Sequence, residues 1–252
     1  MDRLYRVDHN GQARHAIERD GVWRLVAGDI FGRYELGQTI DPSGARLLAP
    51  VLPSKIVAVG LNYKDHAAEQ QKALPAEPMI FIKPSTAVIA PGDPITLPPG
   101  VGRVDHEAEA GVVIGRTAYR VPKERAADYI LGLTCVNDVT ARELQNKDVQ
   151  YTRAKGFNTF APIGPCVALG LDGRAVDVEG WVNAERRQAS NTRELIFSID
   201  HLVAFISFVM TLLPGDIIST GTPSGIGPLK AGDTVTVRVQ GVGELKNPVI
   251  AD

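Results

Sequence analysis

Glu107 and Glu109 stand two apart in the run from Asp105 to Ile114, so an extended chain sends both carboxylates to one face. Val112, Val113 and Ile114 carry that strand into a core. Two anions buried side by side need a cation to offset them, or one must stay protonated; the other possibility is an acidic strand end that faces water. Asp138 adds a third carboxylate where an apolar strand stops, and two roles are open to it. It could cap the helix start from Val139 to Leu144, or join the glutamates in an all-oxygen site suited to Mg²⁺ or Mn²⁺ rather than zinc. His106 is out of phase with both glutamates and so points away from such a site.

His66 and Glu69 are three apart on a short helical stretch, which makes them neighbours on one face. Such a pair can hold a histidine tautomer and prime it as a general base; a surface ion pair has the same spacing. Lys155 lies among Ala154, Phe157, Phe160 and Ala161, a setting in which a lysine needs a reason to be present. It could neutralise a carboxylate or enolate of a substrate, or run its stem outward to water.

The elements that must position these groups are short. Residues 1 to 52 alternate in polarity around Asp20-Gly21, a hairpin signal, and form a small β-rich N-terminal unit. Residues 53 to 252 form the main domain. It opens with the strand Lys55 to Gly60, then a helix from Tyr63 to about Gln71 capped by Asn62, and a strand from Met79 to Ile82. Pro122 starts a helix from Lys123 to Leu131, and Leu133 to Val136 is a strand. Strands are expected at Val176 to Val182, Ile217 to Thr220 and Thr234 to Val239, with an apolar helix near 199 to 213. Strands and helices mix without βαβ alternation, which predicts an irregular, β-dominated α+β roll.

Bulk properties narrow the classes. A formal charge of −2 and scattered basic residues give no footprint for nucleic acid, though a few placed cations could still recognise a small anion. The apolar run from Leu202 to Leu213 is too short to span a bilayer, and Met1 to Arg6 is unlike a signal leader; a cytoplasmic protein is expected. Cys135 and Cys166 lack Cys-x-x-Cys pairing and read as core thiols. The loop Gly221 to Gly227 is glycine-rich but interrupted by Pro223, and reads as a tight turn rather than a phosphate cradle.

Six segments in order carry a resemblance: Gly60 to Glu69, Glu77 to Thr86, His106 to Glu109, Asn137 to Arg142, Ala154 to Thr159 and Thr220 to Gly225. Together they resemble the fumarylacetoacetate hydrolase family over about residues 55 to 250. The resemblance implies a mixed β-sandwich roll and a Mg²⁺- or Mn²⁺-dependent enzyme, usually a homodimer. It implies that Glu107, Glu109 and Asp138 ligate the metal and that His66 and Glu69 activate water from a mobile lid. It also implies that Lys155 and Thr222, with Arg142 and Gln145, meet the substrate.

The expected reaction is hydrolysis of a carbon–carbon bond in an acylpyruvate-like 2,4-diketo acid, whose 2-oxo carboxylate can chelate the ion while the enolate departs. The same enolate chemistry serves a 2-hydroxyhepta-2,4-diene-1,7-dioate isomerase or an oxaloacetate-type decarboxylase. The N-terminal unit speaks for that branch, because relatives carrying such a unit bear the isomerase label. A binding protein that has lost its chemistry is the remaining alternative, disfavoured by the presence of every expected ligand.

Overall fold

A computed structural model describes residues 1 to 252. Most of the chain builds two facing sheets. The larger has twelve strands and runs in space from Tyr34–Ile40 through Val22–Gly28, Gln12–Arg19 and Arg3–His9 to Ala161–Leu169. It continues through Ile130–Asn137, Ala108–Ile114, Ile217–Ser219 and Lys55–Gly60 to Met79–Pro84. The smaller has five strands, among them Asp177–Val182, Thr234–Val239 and Gly243–Ala251. This is the expected sheet-rich α+β class.

Between the sheets lies a cluster of 27 buried residues, with Val57, Val112 and Leu133 from one sheet meeting Val178, Val237 and Leu245 from the other. The helix Ile199–Val209 closes one side of it. Ile199, Leu202, Val203 and Ile206 recur at helical spacing and are buried, and the Ser198 hydroxyl caps the first turn through the His201 N–H at 3.3 Å.

The N-terminal hairpin turns at Asp20-Gly21 as expected, with φ of +52° and +80°. Its strands do not stand apart. Arg3 and Leu4 pair with Ala168 and Val167, so the N-terminal unit extends the main sheet, and Leu4, Ile17 and Val26 share a buried cluster with Val113, Val136 and Ile163.

Several local expectations need correction. The helix expected from Lys123 to Leu131 is a 3₁₀ segment over Lys123–Tyr129, and Ile130 already belongs to a strand. Ile130 and Leu131 pair and pack within the sheet, which outweighs helical propensity in so short a stretch. The long apolar helix stops at Val209, because Met210 is extended ahead of Pro214-Gly215. Asn62 does not cap the next helix. Its side chain instead ties two distant segments, donating to Thr220 O at 2.7 Å and accepting from Phe197 N at 2.8 Å.

Candidate active site

The strands Ala108–Ile114 and Ile130–Asn137 are antiparallel neighbours with Ala108 opposite Asn137 and Glu109 opposite Val136. That register brings Asp138, just past the end of one strand, beside Glu107, just before the start of the other. The strand containing the glutamates breaks at Glu107, contrary to the single extended run expected. The break is locked: Glu107 N–H donates to Asn137 Oδ1 at 3.0 Å, and Asp138 N–H donates to Glu107 O at 2.9 Å. Asp138 therefore does not cap the helix Arg142–Lys147, whose cap position is Ala141. One oxygen from each of Glu107, Glu109 and Asp138 lies within 4.8 Å of the others, and all three side chains are buried.

Charged and polar groups surround the triad. Lys155 Nζ lies 2.9 Å from Glu107 Oε2 and 2.5 Å from Asp138 Oδ2. It is buried, so it does not run outward to solvent. Arg142 places Nη2 2.5 Å from Glu107 Oε1 and Nε 2.9 Å from Asp105 Oδ2, and a third donor bonds Gln145 Oε1. Glu109 Oε2 accepts from the Ser219 hydroxyl at 2.6 Å and from Gly221 N–H at 2.8 Å. Thr222 Oγ1 donates to Ala108 O at 3.0 Å and accepts from Gln188 Nε2 at 2.7 Å. Gln188 Oε1 also meets His106 Nδ1 at 3.0 Å, and His106 stays outside the triad, as its strand phase requires.

Burial and Asp138 push the Glu109 carboxyl up to about 8. Burial works in the same direction on Glu107, but Lys155 and Arg142 outweigh it and hold that carboxyl well below the ordinary range. Lys155 is likewise opposed by burial, yet Asp138 and Glu107 raise its pKa. These groups fit a divalent cation. Three buried carboxylates form an all-oxygen donor set without thiolate or imidazole, and Glu109 resists ionising without further positive charge.

Lys83, Ser219 and Gln70 had no assigned role from sequence. Lys83 is wholly buried, with Nζ 2.7 Å from Asp138 Oδ1 as an ion pair and donating to Val139 O at 3.1 Å. The signal for it was available: a lysine ending the apolar run Met79-Ile-Phe-Ile needs a reason just as Lys155 does.

The helix Lys64–Glu69 supplies the second half of the site. His66 Nδ1 is 2.8 Å from Glu69 Oε2, and Gln70 Nε2 is 2.8 Å from His66 Nε2. With Nδ1–H donating to the carboxylate, Nε2 is the accepting nitrogen. The helix ends because Gln71 adopts φ +53°, which lets Lys72 N–H reach back to Ala67 O at 3.0 Å and Gln71 N–H to Ala68 O at 3.1 Å. Glu69 Oε1 accepts Gly225 N–H at 3.0 Å. Gly225 has φ +95°, and a Cβ there would lie 2.0 Å from Arg187 O, so the glycine-rich turn packs against the strand Glu185–Asn191 only without a side chain at this position.

His66 and the triad open onto one cavity of about 270 Å³, which Arg142, Gln145, Lys155 and Thr222 also line, while Glu69 adjoins it through His66. Phe81, Met79 and Ile226 give it apolar wall, and Lys72 and Arg103 add positive charge. All nine residues singled out from sequence are therefore in or around one space.

The family model described as "Fumarylacetoacetate (FAA) hydrolase C-terminal" matches residues 55–250, and one described as "Rv2993c-like, N-terminal" matches residues 2–50. Protein Rv2993c of Mycobacterium tuberculosis is 47% identical over 231 residues, covering 90% of this chain and 87% of that one. Among solved structures, a 5-carboxymethyl-2-hydroxymuconate delta-isomerase from Mycobacterium smegmatis is 46% identical with a TM-score of 0.93, covering 99% of this chain and 100% of that one. A 2-hydroxyhepta-2,4-diene-1,7-dioate isomerase from Mycobacterium marinum is 40% identical with a TM-score of 0.93, covering 100% and 99%. Maleylpyruvate hydrolase from Sphingobium sp. SYK-6, solved with manganese(II) and pyruvate, is 30% identical with a TM-score of 0.82, covering 99% of each chain.

Proposed function

Because the chain belongs to the fumarylacetoacetate hydrolase family, we propose that it is a divalent-metal-dependent hydrolase cleaving a carbon–carbon bond in an acylpyruvate-like 2,4-diketo acid. The observation that carries this reading is that His66, paired with Glu69, shares one cavity with the buried triad. A decarboxylation needs no group to activate water, and a hydrolysis does.

His66 Nε2 accepts a hydrogen bond from Gln70, and an attacking water would take that place. As His66 removes a proton from the water, the water oxygen bonds to the carbonyl carbon farther from the 2-oxo acid. The bond between that carbon and the adjacent methylene then breaks, and its electron pair passes to the 2-oxo acid as an enolate. Protonation of the methylene carbon by the imidazolium completes the reaction, giving a 2-oxo acid and a second carboxylic acid. Glu69 steadies the imidazolium, typically part of a contribution of about 10²- to 10⁴-fold in rate. Bound to Glu107, Glu109 and Asp138, Mg²⁺ or Mn²⁺ would supply Lewis-acid stabilisation of the developing negative charge, worth several kcal/mol. Lys155, Arg142, Gln145 and Thr222 would orient the anionic substrate along the cavity wall. The manganese and pyruvate bound by the Sphingobium hydrolase support this class of ligand.

The two mycobacterial structures favour a second reading, isomerisation of a 2-hydroxydienoate, in which His66 would carry a proton between carbons. Acetylpyruvate, oxaloacetate and a hydroxymuconate-type dienoate, assayed side by side with Mg²⁺ and with Mn²⁺, separate the outcomes. Turnover of the dienoate without release of pyruvate from acetylpyruvate would overturn the hydrolase reading. We further propose a cytoplasmic homodimer, which sedimentation equilibrium would test. No helix is long and apolar enough to cross a membrane.

A further inference from the structure

Each carboxylate of the triad has one oxygen set against a hydrogen-bond donor or a paired cation of the surrounding protein other than Lys155. Glu109 Oε2 takes the Ser219 hydroxyl and the Gly221 N–H, both buried. Glu107 Oε1 takes Arg142 Nη2, and Arg142 is itself braced by the buried Asp105. Asp138 Oδ1 faces Lys83 Nζ at 2.7 Å, and Lys83 is anchored on its strand by Val139 O. What remains is one oxygen apiece: Glu109 Oε1, Glu107 Oε2 and Asp138 Oδ2. The last two meet only the Lys155 ammonium, a point charge on a flexible stem.

Cations differ in what they ask of carboxylates. Calcium takes six to eight oxygens and readily uses both oxygens of one carboxylate, whereas Mg²⁺ and Mn²⁺ suit fewer single-oxygen ligands with waters or substrate completing the shell. We infer that Lys83 and Ser219 set which cation the triad accepts: by engaging Asp138 Oδ1 and Glu109 Oε2 they hold each carboxylate to one donor atom, favouring Mg²⁺ or Mn²⁺ and excluding Ca²⁺. They are positioning residues, since neither offers an atom to the cation. This inference rests on reading the triad as a metal site. A purely structural Lys83, present only to neutralise Asp138, would affect stability and leave cation choice alone.

The test uses the full chain stripped with EDTA, with Mn²⁺ and Ca²⁺ affinities measured by calorimetry and the bound Mn²⁺ followed by its electron paramagnetic resonance. The unaltered protein should favour Mn²⁺ by about 100-fold or more. Lys83→Met should narrow that ratio by about 10-fold, within the range for groups that orient metal ligands. Ser219→Ala should narrow it less, because Gly221 N–H still holds Glu109 Oε2. Should Lys83→Met fail to fold, Ser219→Ala decides. An unchanged ratio in the folded variants, or equal affinities in the unaltered protein, overturns the inference while sparing the metal site. Binding of neither ion overturns both.

Discussion

Glu69 accepts the backbone N–H of Gly225 at 3.0 Å, a bond between residues 156 positions apart. It fastens the dyad helix to the glycine-rich turn, and leaves Glu69 Oε2 directed at His66. A turn that looked merely tight in sequence thus ties the His66–Glu69 pair to the body of the protein.

Replacing His66 with Ala should lower kcat for acetylpyruvate hydrolysis by about 10²- to 10⁴-fold, the usual range for a positioned base. Glu69→Gln keeps an oxygen for Gly225 but removes the anion that steadies the imidazolium, so a loss of about 10²-fold is expected. Steady-state kinetics on metal-loaded protein check both. Hydrolysis at the unaltered rate in His66→Ala would remove the dyad from the mechanism.

Mg²⁺ or Mn²⁺ should raise the melting temperature. A ligand at about 100 times its Kd adds about 2.7 kcal/mol to the native state. For a chain of this length that corresponds to a rise of about 5–10 °C. Asp138→Asn, with one charge fewer in the triad, should show a much smaller rise in differential scanning fluorimetry.

Without metal, stability should fall as pH rises. Glu109 is raised from 4.5 to about 8 in the fold, first by burial and then by Asp138. Between those values the native state holds a proton that the unfolded chain has lost, so the contribution is full below about 4.5 and disappears as pH rises through about 8. Urea titrations in EDTA at pH 5 and pH 8.5 should differ in this sense, by at least about 1 kcal/mol. Glu109→Gln should flatten the slope.

Gly132 lies where two strands meet closely, and a Cβ there would stand 2.1 Å from Ala168 O. The obstacle is backbone within the sheet, which cannot yield like the end of a side chain. Gly132→Ala should therefore cost about 1–3 kcal/mol or more, read from the urea midpoint.

Deleting residues 1–52 should yield a chain that does not fold to a soluble catalytic domain. Leu4, Ile17 and Val26 cover Val113, Val136 and Ile163, and their removal would bare both that apolar face and the edge of Ala161–Leu169. A soluble, cooperatively melting fragment 53–252 would show that the two units fold independently.

The α+β class, the hairpin at Asp20-Gly21, the strands Lys55–Gly60 and Thr234–Val239, and the grouping of acids with a histidine dyad were legible in the sequence. Each depends on local periodicity, turn chemistry or motif order, which neighbouring residues carry. The segment Lys123–Leu131 was misread because a short apolar stretch suits helix or sheet, and pairing with distant strands decides between them. Thus the sequence alone singled out Glu107, Glu109, Asp138, His66 and Glu69 as candidates for a hard-metal site with a general base. Only the tertiary structure decided which oxygens are engaged and by what: Lys83, Ser219, Gln70 and Gly225 bond partners of the site, all but Gln70 across long stretches of chain. Long-range contacts of that kind follow from sheet register and chain crossing, and leave no local pattern in the residues that make them.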